Sequence, residues 1–550
     1  MNFKMKFHIP ALAAALFCCL ACVETNSMLG GSFVPATETY SFYTAEFPLD
    51  SIYVKRADQL SGYSDSRITF GTIREDEFGL TTRASAVTLI PLFDKTKTFS
   101  IGNNPKFLSF HFAAALDTLS VLDASQENIL QNVRVYELTE ALDPAEDGDC
   151  NSTVEHGDKL ITKWLPVYNG SDSLSFDFSE EFGKKFLTLT SDDLSSMKKY
   201  LAKFPGIYLE TDIPDGNSGR INMMDVQLTY DPDYTAILGN YATLYYSAEF
   251  GGVRKDTSLT FYYGATDLYD LDSLFKSYNG TFPQYALNLT GQQTRGRTGA
   301  AEDEIWIEGG GGLKPVISAR RLKKQVEEAI SKVGNPKDAV INKATLVFPF
   351  DFPDDFEEMD YWPYRLSPTC RIETDDYTTY MGLTDASSAD EDQGDVDRSL
   401  LCYSPDITYH MQEILKIDES KTDNTRTKYL LSGNYDIWLL VMAREEKITV
   451  NTASQETKDM LNYMMYSSYY NSMYGGYGGY GGYGYGGYGN SYNNYLNYAM
   501  MAQMYSQSTT SVSYEVKLDI DRFYRATLHG PKSAGSVPMV KLTFALPDEL

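Results

Sequence analysis

Apolar side chains recur at every second position through much of this chain, and that period constrains the fold more than any other feature. Leu108, Phe110, Phe112, Ala114 and Leu116 alternate with their neighbours. So do Leu174, Phe176 and Phe178, then Val226, Leu228 and Tyr230, then Leu346, Phe348, Phe350 and Phe352. A strand sends successive side chains to opposite faces, so this spacing marks strands with one buried face. Turn-forming clusters such as Asn103-Asn104-Pro105, Asp215-Gly216-Asn217 and Asp231-Pro232-Asp233 separate the runs. Helical spacing is scarce. Residues 191–203 place Leu194, Met197 and Leu201 on one face behind Ser191 as a candidate cap. Residues 319–333 do the same with Leu322, Val326, Ile330 and Val333. Many strands with few helices predict a mainly β chain: two antiparallel β-sandwich or jelly-roll-like domains with a few short helices. A length of 550 residues suits two such domains at about 200–250 residues each. The turn cluster near Asp231 sets the expected boundary, with an N-terminal β domain over 39–235 and a C-terminal one over 236–550.

The first 21 residues read as an export signal. Lys4 and Lys6 supply positive charge, and residues 11–21 (ALAAALFCCLA) form an apolar run. Spanning a bilayer takes about 20 apolar residues, so this run is too short to be a transmembrane helix. It ends Leu20-Ala21-Cys22, which resembles the bacterial lipobox, in which the cysteine is acylated. The position three before it is Cys19, where leucine is usual. The expectation is a signal peptide over 1–21, acylation of Cys22, and a lipidated tether over 22–38, with an ordinary secretory signal as the alternative. Cys19-x-x-Cys22 also spells a redox motif, but it lies within the apolar run and no βαβ pattern follows. With Cys22 acylated, Cys150, Cys370 and Cys402 remain, and Cys370–Cys402 is the candidate disulfide.

Net charge is −28 at pH 7, from 47 Lys+Arg against 75 Asp+Glu. So acidic a surface repels phosphate backbones and argues against a nucleic-acid partner. Against that background residues 461–514 stand out, with no Asp, Glu, Lys or Arg. Their centre reads YGGYGGYGGYGYGGYG, and Met460/Met464 and Leu496/Met500/Met504 flank it at helical spacing. The segment lies between two strand candidates, 447–450 and 512–518, so it reads as an insertion in a connecting loop. Tyrosine offers large contact area with few rotors, and both Tyr and Met are enriched at interfaces. Tyr474, Tyr477, Tyr480, Tyr483, Tyr485 and Tyr488 are therefore the partner-contact candidates.

Chemistry-bearing motifs are sparse. Neither HExxH nor GxSxG occurs. Gly309–Gly312 continues Leu313-Lys314-Pro315, where a phosphate loop needs GK[ST] opening a helix, so a tight turn is expected. The acidic groups Asp390/Asp392/Asp395/Asp397 and Asp143/Glu146/Asp147/Asp149 lack the EF-hand order of ligands. Asp351, Asp354, Asp355, Glu357 and Glu358 offer carboxylates for glycoside hydrolysis, with nothing to set two of them across a cleft. His111 sits in an alternating strand and reads as structural. His156, His410 and His529 have no ligand spacing. No catalytic residue, metal or cofactor is assigned.

Several segments, taken in order, resemble the Bacteroidota outer-membrane lipoproteins grouped as domain of unknown function 4270. They are Ala21-Cys22 followed by 29–35 (LGGSFVP), 66–81 (SRITFGTIREDEFGLT), 133–142 (VRVYELTEAL), 305–317 (IWIEGGGGLKPVI), 341–348 (INKATLVF) and Leu528-His529-Gly530-Pro531. The resemblance implies a lipid-anchored outer-membrane protein, often surface-exposed, without an established catalytic set. Triplets at Asp50-Ser51-Ile52, Asp117-Thr118-Leu119, Asp172-Ser173-Leu174 and Asp272-Ser273-Leu274 look like that phylum's O-glycosylation acceptors. The expected function is a non-enzymatic binding or scaffold subunit of an outer-membrane complex, serving nutrient import or outer-membrane protein assembly. Its expected partners are the membrane, through acyl chains, and a barrel or other envelope protein. The alternatives are a glycan-binding surface lipoprotein and a carboxylate-dependent hydrolase. Trp164, Trp306, Trp362 and Trp438 are few and scattered for sugar stacking.

Overall fold

The computed structural model describes residues 39–64, 67–93, 98–117, 128–142, 148–226, 228–230, 237–264, 281–282, 286–293, 297–354, 356–375, 377–388, 393–450, 510–522 and 524–548. Cys22 and the six candidate tyrosines lie outside these residues. The fold is mainly β, and every strand ladder with a described register is antiparallel. The alternating runs named above form strands, including Asn103–Leu116, Ser173–Asp177 and Val340–Pro349.

The strands fall into two units. A 14-stranded sheet collects residues from Tyr63–Ser64 to Ala286–Gln293. Its core is built of rings: Phe110 stands within 4.7–6.2 Å of Phe178, Phe182, Phe186 and Phe261. Such packing adds about 0.5–1.5 kcal/mol per pair beyond area burial. The second unit faces two sheets across one core. One runs from Tyr40–Pro48 through Met539–Pro547 and Val340–Pro349. The other centres on Ile437–Val450, with Leu313–Ile317 and Arg365–Glu373 beside it. Leu346, Phe348, Leu542 and Phe544 from the first meet Ile317, Leu366, Leu439 and Val441 from the second in one buried cluster.

The boundary expected near Asp231 is displaced. Ala242–Phe250 pairs with Asn103–Leu116, and Ala286–Gln293 pairs with Gly79–Val87, so the large sheet continues well past it. At the other end, Tyr40–Pro48 and Ile52–Arg56 pair with Met539–Pro547 and Leu313–Ile317 and belong to the second unit. The turn cluster itself lies outside the described residues, between two strands that pair with each other, Leu228–Tyr230 and Ile237–Gly239, and the first unit is inserted whole between strands of the second. Turn residues report a reversal of direction, not the end of a core.

The helices also depart from expectation. Over 191–203 the chain forms a short 3-10 turn, Asp193–Ser195, and then a helix, Met197–Leu201. Ser196 is extended and its hydroxyl accepts from Lys199 N, so it caps the second piece and does not continue the first. Ala319–Ile330 forms with Leu322, Val326 and Ile330 buried, while Val333 lies beyond it and is exposed. Asp436 Oδ1 accepts from Ala319 N at 2.9 Å and satisfies the helix start from another element. Helices Glu180–Phe186, Thr408–Leu415 and Thr425–Ser432 were not foreseen.

The run 437–443 is buried on both faces. Ile437, Leu439 and Val441 enter the second unit's core. Trp438 and Leu440 pack with Ala57, Leu60 and Cys150, which bring the first unit and its entry segment against the sheet. The candidate disulfide is not formed: Cys150, Cys370 and Cys402 are buried and none of them is in a disulfide. Cys370 sits on Arg365–Glu373 and Cys402 on a two-residue strand of the opposite sheet, each filling space as a small apolar side chain.

Candidate functional site

Two features set this molecule apart: a strand pair that carries the uncharged insertion, and a charged junction at its root. Ile437–Val450 pairs with Arg365–Glu373 only as far as Met442. From Met442 to Val450 its ladder is with Thr510–Leu518, ending at Val450↔Thr510. Residues 451–509, outside the described residues, thus lie between two directly paired residues, Val450 and Thr510, at the end of a two-stranded ribbon. Residues 443–450 at about 3.3 Å each make that ribbon about 26 Å long. Its base is braced by Arg444, whose guanidinium lies 3.6 Å from the Tyr514 ring centre and 5.3 Å from that of Tyr364. Tyr364 donates to Asp395 Oδ2 at 2.9 Å, and Arg365 pairs with the same carboxylate. The two strand candidates expected on either side, 447–450 and 512–518, fall within paired strands, and the second strand begins at Thr510, inside the expected insertion.

At the ribbon's root the two units meet through buried charge. Arg67 pairs with Asp117 and stands 3.5 Å from Asp521. Asp521 accepts from Ser64 Oγ at 2.9 Å and from Asn288 Nδ2 at 2.8 Å. Arg83 reaches Thr290 and donates to Arg522 O at 2.7 Å. Against these side chains runs the glycine turn 309–312, which joins Glu304–Glu308 to Leu313–Ile317 as a tight reversal, as its sequence predicts. Gly310 takes φ +54° there, and a Cβ on Gly309 or Gly311 would strike the Asp519 carboxylate or the Asn151 amide. The glycines serve close approach, not phosphate binding.

Lys314 holds that turn from inside. Its Nζ donates to Gly310 O at 2.9 Å, to Gly312 O at 3.2 Å and to Glu308 O. Burial lowers its ammonium to about 8, opposed by Glu308 and Asp519. Burial also lifts Asp519 to about 6, opposed by Arg83 and Arg522. The Cys150 thiol beside them is pushed up to about 11, first by burial and then by Asp149, which makes it a poor nucleophile. A second tie between segments is the Arg371 fork on Asp58, Nε–Oδ1 2.8 Å and Nη2–Oδ2 2.7 Å. Burial works against the Asp58 charge, but Arg371 more than offsets it and holds the carboxyl below its ordinary value.

Asp143, Glu146, Asp147, Asp355, Asp390 and Asp392 lie outside the described residues, and several of the other candidates have local partners. Asp397 accepts from the Ser399 and Leu400 N–H groups, both at 2.8 Å. Asp351 pairs with His529 at 3.0 Å, and His111 with Asp177 at 3.1 Å across a strand pair. His156 is stacked between Tyr136 and Tyr208. Among the described residues no group of His, Cys, Asp and Glu has the arrangement of a metal site. Trp306 and Trp438 are buried, whereas Trp164 is 78% exposed. Of the triplets, Asp172 and Ser173 are exposed and Asp117 is buried against Arg67.

The junction was not anticipated as a site. Its signal was present as single charges inside apolar or small-residue strands: Arg83 in LTTRASAV and Lys314 in LKPVI. No protein-family model, curated protein or solved structure matches this chain.

Proposed function

We propose that this protein is a lipid-anchored outer-membrane subunit, facing the cell surface, that binds or scaffolds a partner envelope protein without catalysing a reaction. Acyl chains on Cys22 hold it to the membrane, and the uncharged insertion is its contact arm. The observation that carries this reading is the ribbon. Val450 and Thr510 close a ladder that stands clear of the Arg365–Glu373 pairing, so the insertion is displayed from a structured strand pair. A segment free of charge loses no ion hydration on docking. The family reading rests on the order of its motifs. No helix among the described residues is long and apolar enough to cross a membrane.

The test is cross-linking and affinity purification from intact outer membranes, with the full chain and with 461–509 replaced by a short Gly/Ser turn, which spares the paired strand Thr510–Leu518. The expected result is one defined envelope protein recovered with the full chain and lost with the deletion, at unchanged thermal unfolding. Equal recovery from both chains overturns the arm. Exposed Trp164 favours glycan binding as a second reading, since an open indole is a stacking platform for a sugar face. Recovery of polysaccharide alone, abolished by Trp164→Ala, would establish it in place of the first.

A further inference from the structure

The turn that follows the ribbon's return strand carries Asp519, Asp521 and Arg522 into the junction, and all three are buried. They bridge both units. Asp519 N donates to Val441 O at 2.9 Å, and Asp519 O accepts from Gly310 N at 3.0 Å, both in the second unit. Arg522 O and the Asp521 carboxylate are held by Arg83 and by Ser64 and Asn288, all in the first.

The charges facing Asp519 come from every element around it. Gly79–Val87 supplies Arg83, and the strand after the glycine turn supplies Lys314, which Glu308 from the strand before the turn also faces. Its own turn supplies Asp521 and Arg522. Arg67 and Asp117 continue the array behind Asp521, and the Cys150 thiol faces Lys314. Four cations therefore meet four carboxylates. Within this array Asp519 Oδ1 accepts from Arg522 N at 2.8 Å. Oδ2 lies against Gly309 and accepts no hydrogen bond among the described residues. A buried carboxylate with one oxygen so placed is costly, and a proton on that oxygen lowers the cost by removing the charge.

We propose that residues 519–522 form a proton-operated latch between the two β units: protonation of Asp519 tightens the junction and deprotonation loosens it. The inference is independent of what the arm binds. Linkage gives the sign. The closed junction holds the Asp519 proton up to about 6, whereas an opened one returns it to the ordinary 3.8. The group's favourable contribution is complete below the lower value and is lost as pH rises through the upper one.

Hydrogen exchange on the full chain, corrected for intrinsic rates, tests this. Amides of Asp519 and Gly310 should be about tenfold better protected at about pH 5 than at about pH 7.5. Amides of the Asn103–Leu116 strand, away from the junction, are the internal reference and should not share the change. Asp519→Asn mimics the protonated acid and should hold the tight state at both pH values. Wild-type protection at Asp519 and Gly310 that stays flat, falls in acid, or changes only in step with the reference strand overturns the latch. A folded Asp519→Asn that keeps the full pH response overturns it equally. Should that variant fail to fold, the wild-type comparison decides alone.

Discussion

Asn288 Nδ2 donates to Asp521 Oδ1 at 2.8 Å across 233 positions of sequence, while the same side chain's oxygen accepts from the Thr69 N–H at 3.0 Å. One amide thus joins the ribbon's return turn to the centre of the large sheet. Its orientation follows from its partners, a carboxylate on one side and a backbone donor on the other. Asp521→Ala would leave the Asn288 amide with the Arg67 carbonyl as its one remaining acceptor, at 3.1 Å, and Arg67 with half its counter-charge, inside a closed junction. Removing one partner of a buried pair costs about 3–5 kcal/mol. Urea denaturation should show a loss of that size, and a smaller one for Asp521→Asn. A loss under about 1 kcal/mol, the size of an ordinary surface change, would mean that the junction carries little of the stability.

The glycine turn makes a contrasting pair of substitutions possible. A methyl on Gly309 runs into the Asp519 carboxylate, whereas one on Gly216 meets nothing within 4 Å. Forcing an extra carbon into a packed site costs about 1–3 kcal/mol. Gly309→Ala should lower stability by that amount, and Gly216→Ala should stay within about 0.5 kcal/mol of wild type. Equal melting temperatures for the two variants would show that the turn has room to move.

In the proposed function, anchoring rests on one atom: the Cys22 sulfur would carry the lipid, and several acyl chains together would give stable membrane attachment. Cys22→Ala should leave the unfolding transition unchanged and release the protein from the outer-membrane fraction. Retention of the variant after a high-salt wash would show that something other than lipid holds it.

What was legible in the sequence was what a local pattern can encode. Period two gave away Asn103–Leu116 and Val340–Pro349, and helical spacing gave Ala319–Ile330. The turn at Gly309–Gly312 and the strand-to-strand placement of the insertion were legible too. The division into units was not, because it depends on which distant strands pair. Nothing near Tyr40 announces that it lies opposite Pro547. The junction was hidden for the same reason. Arg83 and Asp519 each look like an isolated charge until Gly79–Val87 and the 519–522 turn are brought together. The helix break at Ser196 turned on a competition that spacing does not see, between a hydroxyl capping Lys199 N and a residue continuing the previous turn.

Lys314 gives the junction a second pH signature, opposite in sign to that of Asp519. In the folded chain its ammonium loses a proton near 8, and in the unfolded chain near 10.5. Between those values the unfolded chain binds more protons, so the lysine's contribution to stability climbs as pH rises. The full climb is on the order of 3 kcal/mol. Lys314→Met has no such group, although it also deprives the Gly310 and Gly312 carbonyls of their donor and is expected to be less stable overall. The quantity to follow is therefore the difference between wild type and variant by chemical denaturation at several pH values above 7. Cys150 ionises near 9 when unfolded and near 11 when folded, an opposing change that wild type and variant share and that cancels in their difference. A difference that grows in favour of wild type across that window is the expected result. A flat difference would mean that Lys314 keeps an ordinary proton affinity inside the fold, and that water or motion reaches the glycine turn.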